Sequence, residues 1–167
     1  MTGFRRSALI GSGLAAVLAA GTILVGCGSG SGADAPSAGA AVAGAAPRLS
    51  VVDSYIPLPA SPNGMGAGYL TVRNEGGADE LVKVSSPAAK SVTMHRSTDQ
   101  TMEQVESFPV PSGGELQLAR GGNHLMIMGW EKAPAVGDQL ELDLTFKKGG
   151  TVAVKVPVQP LTYRPGS

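Results

Sequence analysis

The chain contains only two histidines, His95 and His124, and each has a methionine within two residues. The run His124-Leu125-Met126-Ile127-Met128 reads as a short strand. Alternate side chains of a strand share a face, so His124, Met126 and Met128 point one way and Leu125 and Ile127 the other. On Ser91–His95, Val92 and Met94 share the face better suited to a core, while Ser91, Thr93 and His95 share the opposite, accessible one. Thioether sulfur is soft, uncharged and has no proton to lose, and imidazole is a borderline donor. Together they suit Cu(I) and serve Mg²⁺, Ca²⁺ or Mn²⁺ poorly. Outside the cytoplasm thiol ligands oxidise, so a copper carrier there does well with Met and His. The same residues also admit a plainer reading. Met is a common core filler, His95 could be a solvated surface residue, and a buried His124 would then need hydrogen-bond partners.

Other chemistries find fewer supports. The single Cys excludes an intrachain disulfide and any multi-Cys zinc or iron–sulfur site, and two His exclude a three-His zinc centre. A blue-copper site needs a further His or a Cys inside the domain. Gly64-Met65-Gly66-Ala67-Gly68 has the wrong spacing and context for a phosphate loop. No local carboxylate is set to hold a His for a nucleophilic serine, so the chain does not read as an enzyme. Aromatic residues make up 4% of the chain, too few for a groove built on base stacking. Net charge is zero, and without Arg5 and Arg6 it is 11 basic against 13 acidic residues, which argues against nucleic acid as a partner.

These residues must be positioned by a domain of modest size within a chain of 167 residues. Arg5 and Arg6 precede an uncharged, small and apolar run over 7–25, the layout of an export signal spanning 1–26. Leu24-Val25-Gly26-Cys27 matches a bacterial lipobox, which predicts lipidation of Cys27, membrane attachment through that lipid and an extracytoplasmic location. Residues 28–47 are a linker in which eighteen of twenty are Gly, Ala, Ser or Pro. Residues 48–167 form the domain. There, apolar residues recur at period two (Leu140, Leu142, Leu144 and Phe146; Val152, Val154 and Val156), and turns fall at Asn74–Gly77, Gly121-Gly122 and Lys148–Gly150. Further strands are marked at 49–52, 67–72, 81–84, 91–95, 116–118 and 124–128, and no helical period runs for twelve residues. The pattern predicts an all-β sandwich or barrel.

The domain resembles the PCuAC-like periplasmic copper chaperones associated with CuA assembly. The resemblance rests on Val52–Tyr55, Gly66–Asn74 (GAGYLTVRN), Leu81–Ala88, Val92–His95, Val136–Asp138 and, above all, Gly121–Gly129 (GGNHLMIMG). It implies a cupredoxin-like Greek-key β-sandwich that binds one Cu(I) near its surface through His95, Met102, His124 and Met126. Residues 103–123 separate Met102 from His124, which is the family's interval of 21; residues 96–101 separate His95 from Met102, fewer than the family has, so a shorter hairpin is expected there. Met128 shares the face of Met126 and is a possible fifth neighbour. The resemblance further implies delivery of copper to the CuA subunit of cytochrome c oxidase or to a Sco-type thiol protein. Copper scavenging or tolerance with the same site, and a metal-free structural lipoprotein, are the competing readings.

Overall fold

The computed structural model describes residues 45–165. The expected signal, Cys27 and the linker up to residue 44 lie outside the described residues. Ten strands are present among them and none of these residues is helical. In chain order they are β1 (Leu49–Pro57), β2 (Gly66–Asn74), β3 (Asp79–Ser85), β4 (Ala89–Ser97), β5 (Met102–Val105), β6 (Phe108–Val110), β7 (Glu115–Leu118), β8 (Asn123–Trp130), β9 (Gln139–Phe146) and β10 (Gly150–Gln159).

The all-β expectation is met, but the strands do not fall into two separate sheets. They form one mixed hydrogen-bonded path, β5-β4-β8-β2-β1-β10-β9-β3-β6, with β7 pairing β2 off the path. Two strands make this possible by changing partners. The first residues of β2 (Gly66–Gly68) pair β8, and Leu70–Arg73 pair β7. β1 pairs β2 antiparallel from Leu49 as far as Tyr55, while Ile56 and Pro57 pair β10 in parallel. A bulge between Val52 and Tyr55, where Asp53 takes φ 53°, shifts the register of β1 on β2 just before β1 meets β10. Asp is among the few non-glycine residues that tolerate this left-handed conformation. At the far end of the path, β6 comes back against β7 and β2, so the sheet nearly closes into a barrel-like shape.

Alternation sets which side chains fill the interior. Leu142, Leu144 and Phe146 of β9 are buried, and across the antiparallel ladder Val156 faces Leu140 and Val154 faces Leu142. Such cross-strand apolar pairs are the unit of sheet stability. Leu125 and Ile127 of β8 are fully buried, as their parity requires, and so is most of Met94 on β4. On β3 simple alternation fails: Leu81 and Val84 are both buried and Val82 is exposed. A register shift between Leu81 and Lys83 turns both apolar residues inward, as a bulge does.

Two short strands lie at the ends of the path. β5 (MEQV) is an edge strand, largely exposed and held by pairing to β4. β6 (FPV) is three residues long, and its Pro109 sits at the other end of the path, where a missing N–H costs no ladder bond.

A polar node fixes where β1 begins. The buried Asn74 side chain donates from Nδ2 to the carbonyls of Gly77 (2.8 Å) and Pro111 (3.1 Å), and its Oδ1 accepts from the amides of Arg48 (3.1 Å) and Gly76 (2.9 Å). Asn74→Ala strands four backbone groups at once, and buried groups left unpaired cost about 1–3 kcal/mol each where water cannot replace the partner. With partial rehydration, a net loss of about 2 kcal/mol is expected in urea unfolding. A loss below about 0.5 kcal/mol would show that the node does not hold the start of β1.

Candidate metal centre

Register brings the two histidines together from positions 29 residues apart in the chain. β4 pairs β8 antiparallel, with His95 directly opposite His124, Thr93 opposite Met126 and Ser91 opposite Met128. Residues facing each other across a ladder share a face, so all six side chains lie on the side away from Leu125, Ile127 and Met94. The imidazole rings stack with centroids 5.8 Å apart and planes at 26°. The expected face assignments of β4 and β8 are therefore met.

The short hairpin expected between His95 and Met102 is also present. β4 ends at Ser97 and β5 begins at Met102 opposite it, with the intervening turn closed by Thr98 N–H donating to the Thr101 carbonyl at 2.8 Å. Met102 thus lies on the face of Ser97 and His95, one ladder step from the histidine pair. It is 56% exposed. The four residues, His95, Met102, His124 and Met126, share one face of the β5-β4-β8 ribbon.

Hydrogen bonds dispose the ring nitrogens for a metal. His124 Nδ1 lies 3.0 Å from the Gly122 carbonyl. A carbonyl can only accept, so Nδ1 carries the proton and the Nε2 lone pair is left for a ligand. His95 Nε2 lies 2.9 Å from the Thr93 hydroxyl, and its Nδ1 is buried with no hydrogen-bond partner. A buried nitrogen without a partner is costly, and a coordinated ion would satisfy it. Burial, and then the neighbouring His124, push the His95 imidazole below its ordinary pKa. The ring therefore stays neutral, and able to bind metal, to lower pH than a free imidazole. The Thr93 hydroxyl and the Gly122 carbonyl are the supporting groups that the spacing of metal-binding residue types does not reveal. Thr93 could have been found from strand parity, two residues before His95. The Gly122 contact depends on the shape of the β7–β8 turn.

Among the described residues no three His, Cys, Asp or Glu side chains come together as a metal cluster. A metal on this face would accordingly use thioether along with imidazole donors, which favours soft, monovalent copper over hard cations.

Comparison with known proteins bears on the whole domain. The family model described as "Putative lipoprotein LpqE-like" matches residues 49–158, from the start of β1 almost to the end of β10. This chain belongs to the LpqE-like family. A relative in Leifsonia xyli subsp. xyli (strain CTCB07), "Putative lipoprotein Lxx21020", is 36% identical over 106 residues, covering 60% of this chain and 64% of that relative's length. Among solved structures, the LpqE-like domain superposes on the copper-bound PCuAC domain from PmoF2 with a TM-score of 0.61 at 22% identity, covering 69% of this chain and 95% of that one. It also matches the Cu(I) form of DR1885 from Deinococcus radiodurans, with a TM-score of 0.55 at 27% identity, covering 67% and 80%. The resemblance of this LpqE-like chain to PCuAC domains thus holds at the level of the fold, and both of these structures contain copper. The matched segment 49–158 includes all four candidate ligands.

Proposed function

We propose that this LpqE-like chain is an extracytoplasmic Cu(I) carrier rather than an enzyme, lipidated at Cys27 and holding one copper ion on its outer sheet face through His95, Met102, His124 and Met126. One observation carries the reading: two stacked imidazoles, each with a nitrogen free of any hydrogen bond, share a face with two thioethers. We read the domain as a cupredoxin-like Greek key whose outer face serves exchange. The ligands lie on open strands and Met102 is more than half exposed, so a recipient could reach the ion without unfolding the domain. That accessibility supports delivery, with a CuA-type oxidase subunit or a Sco-type thiol protein as recipient, over sequestration in a closed cage.

The test is an anaerobic Cu(I) titration of the full chain against a competing colorimetric chelator under reductant, with Cys27→Ser so that a free thiol does not bind the metal. Retention of a tightly held equivalent supports the carrier, and no competition at all refutes it. Copper transfer to a purified CuA domain then separates delivery from scavenging. Within the site, the His-x-Met spacing assigns the ligand role to Met126, which faces Thr93 next to the histidine row, and not to Met128, which faces Ser91 one row further away. Met126→Leu is expected to weaken the tightest equivalent at least tenfold, about 1.4 kcal/mol. Met128→Leu should change it less than about threefold. Equal losses would mean that Met128 is a primary ligand.

A further inference from the structure

We propose that Met65 and Met128 form a second, weaker Cu(I) station of two thioethers, a landing step beside the His–Met centre; the proposal rests on the reading of that centre as a copper site. The β2–β8 ladder pairs Gly66 with Ile127 and Ala67 with Met126. Carried one residue back, the same register sets Met65 across from Met128, on the face that bears Met126. Neighbouring strands lie about 4.8 Å apart, and two long unbranched side chains on opposed positions can bring both sulfurs to one ion. Two soft donors are enough for a d¹⁰ ion that accepts low coordination, and hard cations would ignore them.

Met65 is held at this position by its neighbours. Trp130 Nε1 donates to the Gly64 carbonyl at 2.8 Å, and Gly64 N–H donates to the Ser61 carbonyl at 2.9 Å. On its other side, Gly66 lies so close under the Trp130 ring that a β-carbon there would collide with it. The backbone on both sides of Met65 is thus pinned by one indole, yet the Met65 side chain is 65% exposed, the most exposed large apolar residue among those described. Burial does not account for a methionine there, and a sulfur presented to solvent does. Between the two methionine positions and the histidines lies Met126, flanked on β2 only by the small side chain of Ala67. Successive residues on one face of β8 are about 6.7 Å apart, so copper can pass from Met128 to Met126 by exchange of one thioether for the next, with no change of oxidation state.

The experiment is an anaerobic Cu(I) titration of the full chain, with Cys27→Ser and ¹³C-methyl-labelled methionine, followed by NMR. The first equivalent is expected to move the Met102 and Met126 methyl signals and the second those of Met65 and Met128. Met94, buried on the opposite face, stays still as a reference. The double substitution Met65→Leu with Met128→Leu should lower the stoichiometry from two to one and leave the first equivalent unchanged. If Met102 and Met126 respond but Met65 and Met128 stay fixed in excess copper, the station is refuted and the primary centre stands. Movement of Met128 with the first equivalent also overturns the station, since that sulfur would then belong to the primary centre. If none of the four moves, the copper reading itself fails.

Discussion

Replacing His124 by alanine is expected to weaken Cu(I) binding at least tenfold, about 1.4 kcal/mol, with little change in folding stability. The imidazole is the best-prepared donor of the face. Its Nδ1 proton is committed to the Gly122 carbonyl, which fixes the tautomer and leaves the Nε2 lone pair open. Removing it takes away a proposed ligand whose orientation is already set by the fold. The remaining donors, His95 and the thioethers of Met102 and Met126, keep some affinity, so binding should fall without vanishing. The ring lies on the outer face and is only partly buried, so its loss opens no core cavity. Anaerobic competition with a chelator reads the affinity, and urea unfolding of the apo protein reads the stability. Met126→Ala should behave in the same way. Unchanged affinity in both variants would remove the proposed centre, and an equally large loss of stability would show that these residues serve the fold.

Much of this face was legible in the sequence because strand parity is a local rule. His124, Met126 and Met128 had to share a side once 124–128 was a strand, and Val92 and Met94 had to oppose His95. Period two likewise marked β9 and β10, where apolar residues alternate without interruption. The pairing of His95 with His124 is different in kind. It depends on the register between two strands separated by a hairpin and by β5 to β7, and no local pattern encodes that; the likeness to copper-binding domains supplied the expectation. β5 and β6 escaped notice because edge strands take their structure from a neighbour. The single mixed path also escaped, since strand order is not a local property, and so did the bulge at Asp53, where one residue in a left-handed conformation shifts the register of β1 on β2. The inward turn of both Leu81 and Val84 has the same cause, an irregularity that breaks the alternation by which strands are read.

The two faces of β8 permit a reciprocal experiment. Ile127 stands between Met126 and Met128 in sequence but is fully buried against the core, opposite Val92 on β4 and Gly66 on β2. Ile127→Ala deletes three carbons from a packed interior, and such deletions cost about 2–5 kcal/mol through lost burial and the cavity left behind. Its neighbours are strands fixed by hydrogen bonds on both sides, so collapse into the space is limited and a loss in the upper half of that range is expected, read as a lower urea midpoint with an unchanged slope. The ladder that aligns His95 with His124 is made by the backbone and does not use the Ile127 side chain. Under conditions where the variant is folded, its Cu(I) affinity should therefore stay within about threefold of the parent. Met126→Ala reverses the pattern, with affinity lost and stability kept. If Ile127→Ala instead weakened copper binding as much as Met126→Ala does in the folded protein, the ligands would depend on core packing beneath them, and the division of β8 into a structural face and a metal face would be wrong.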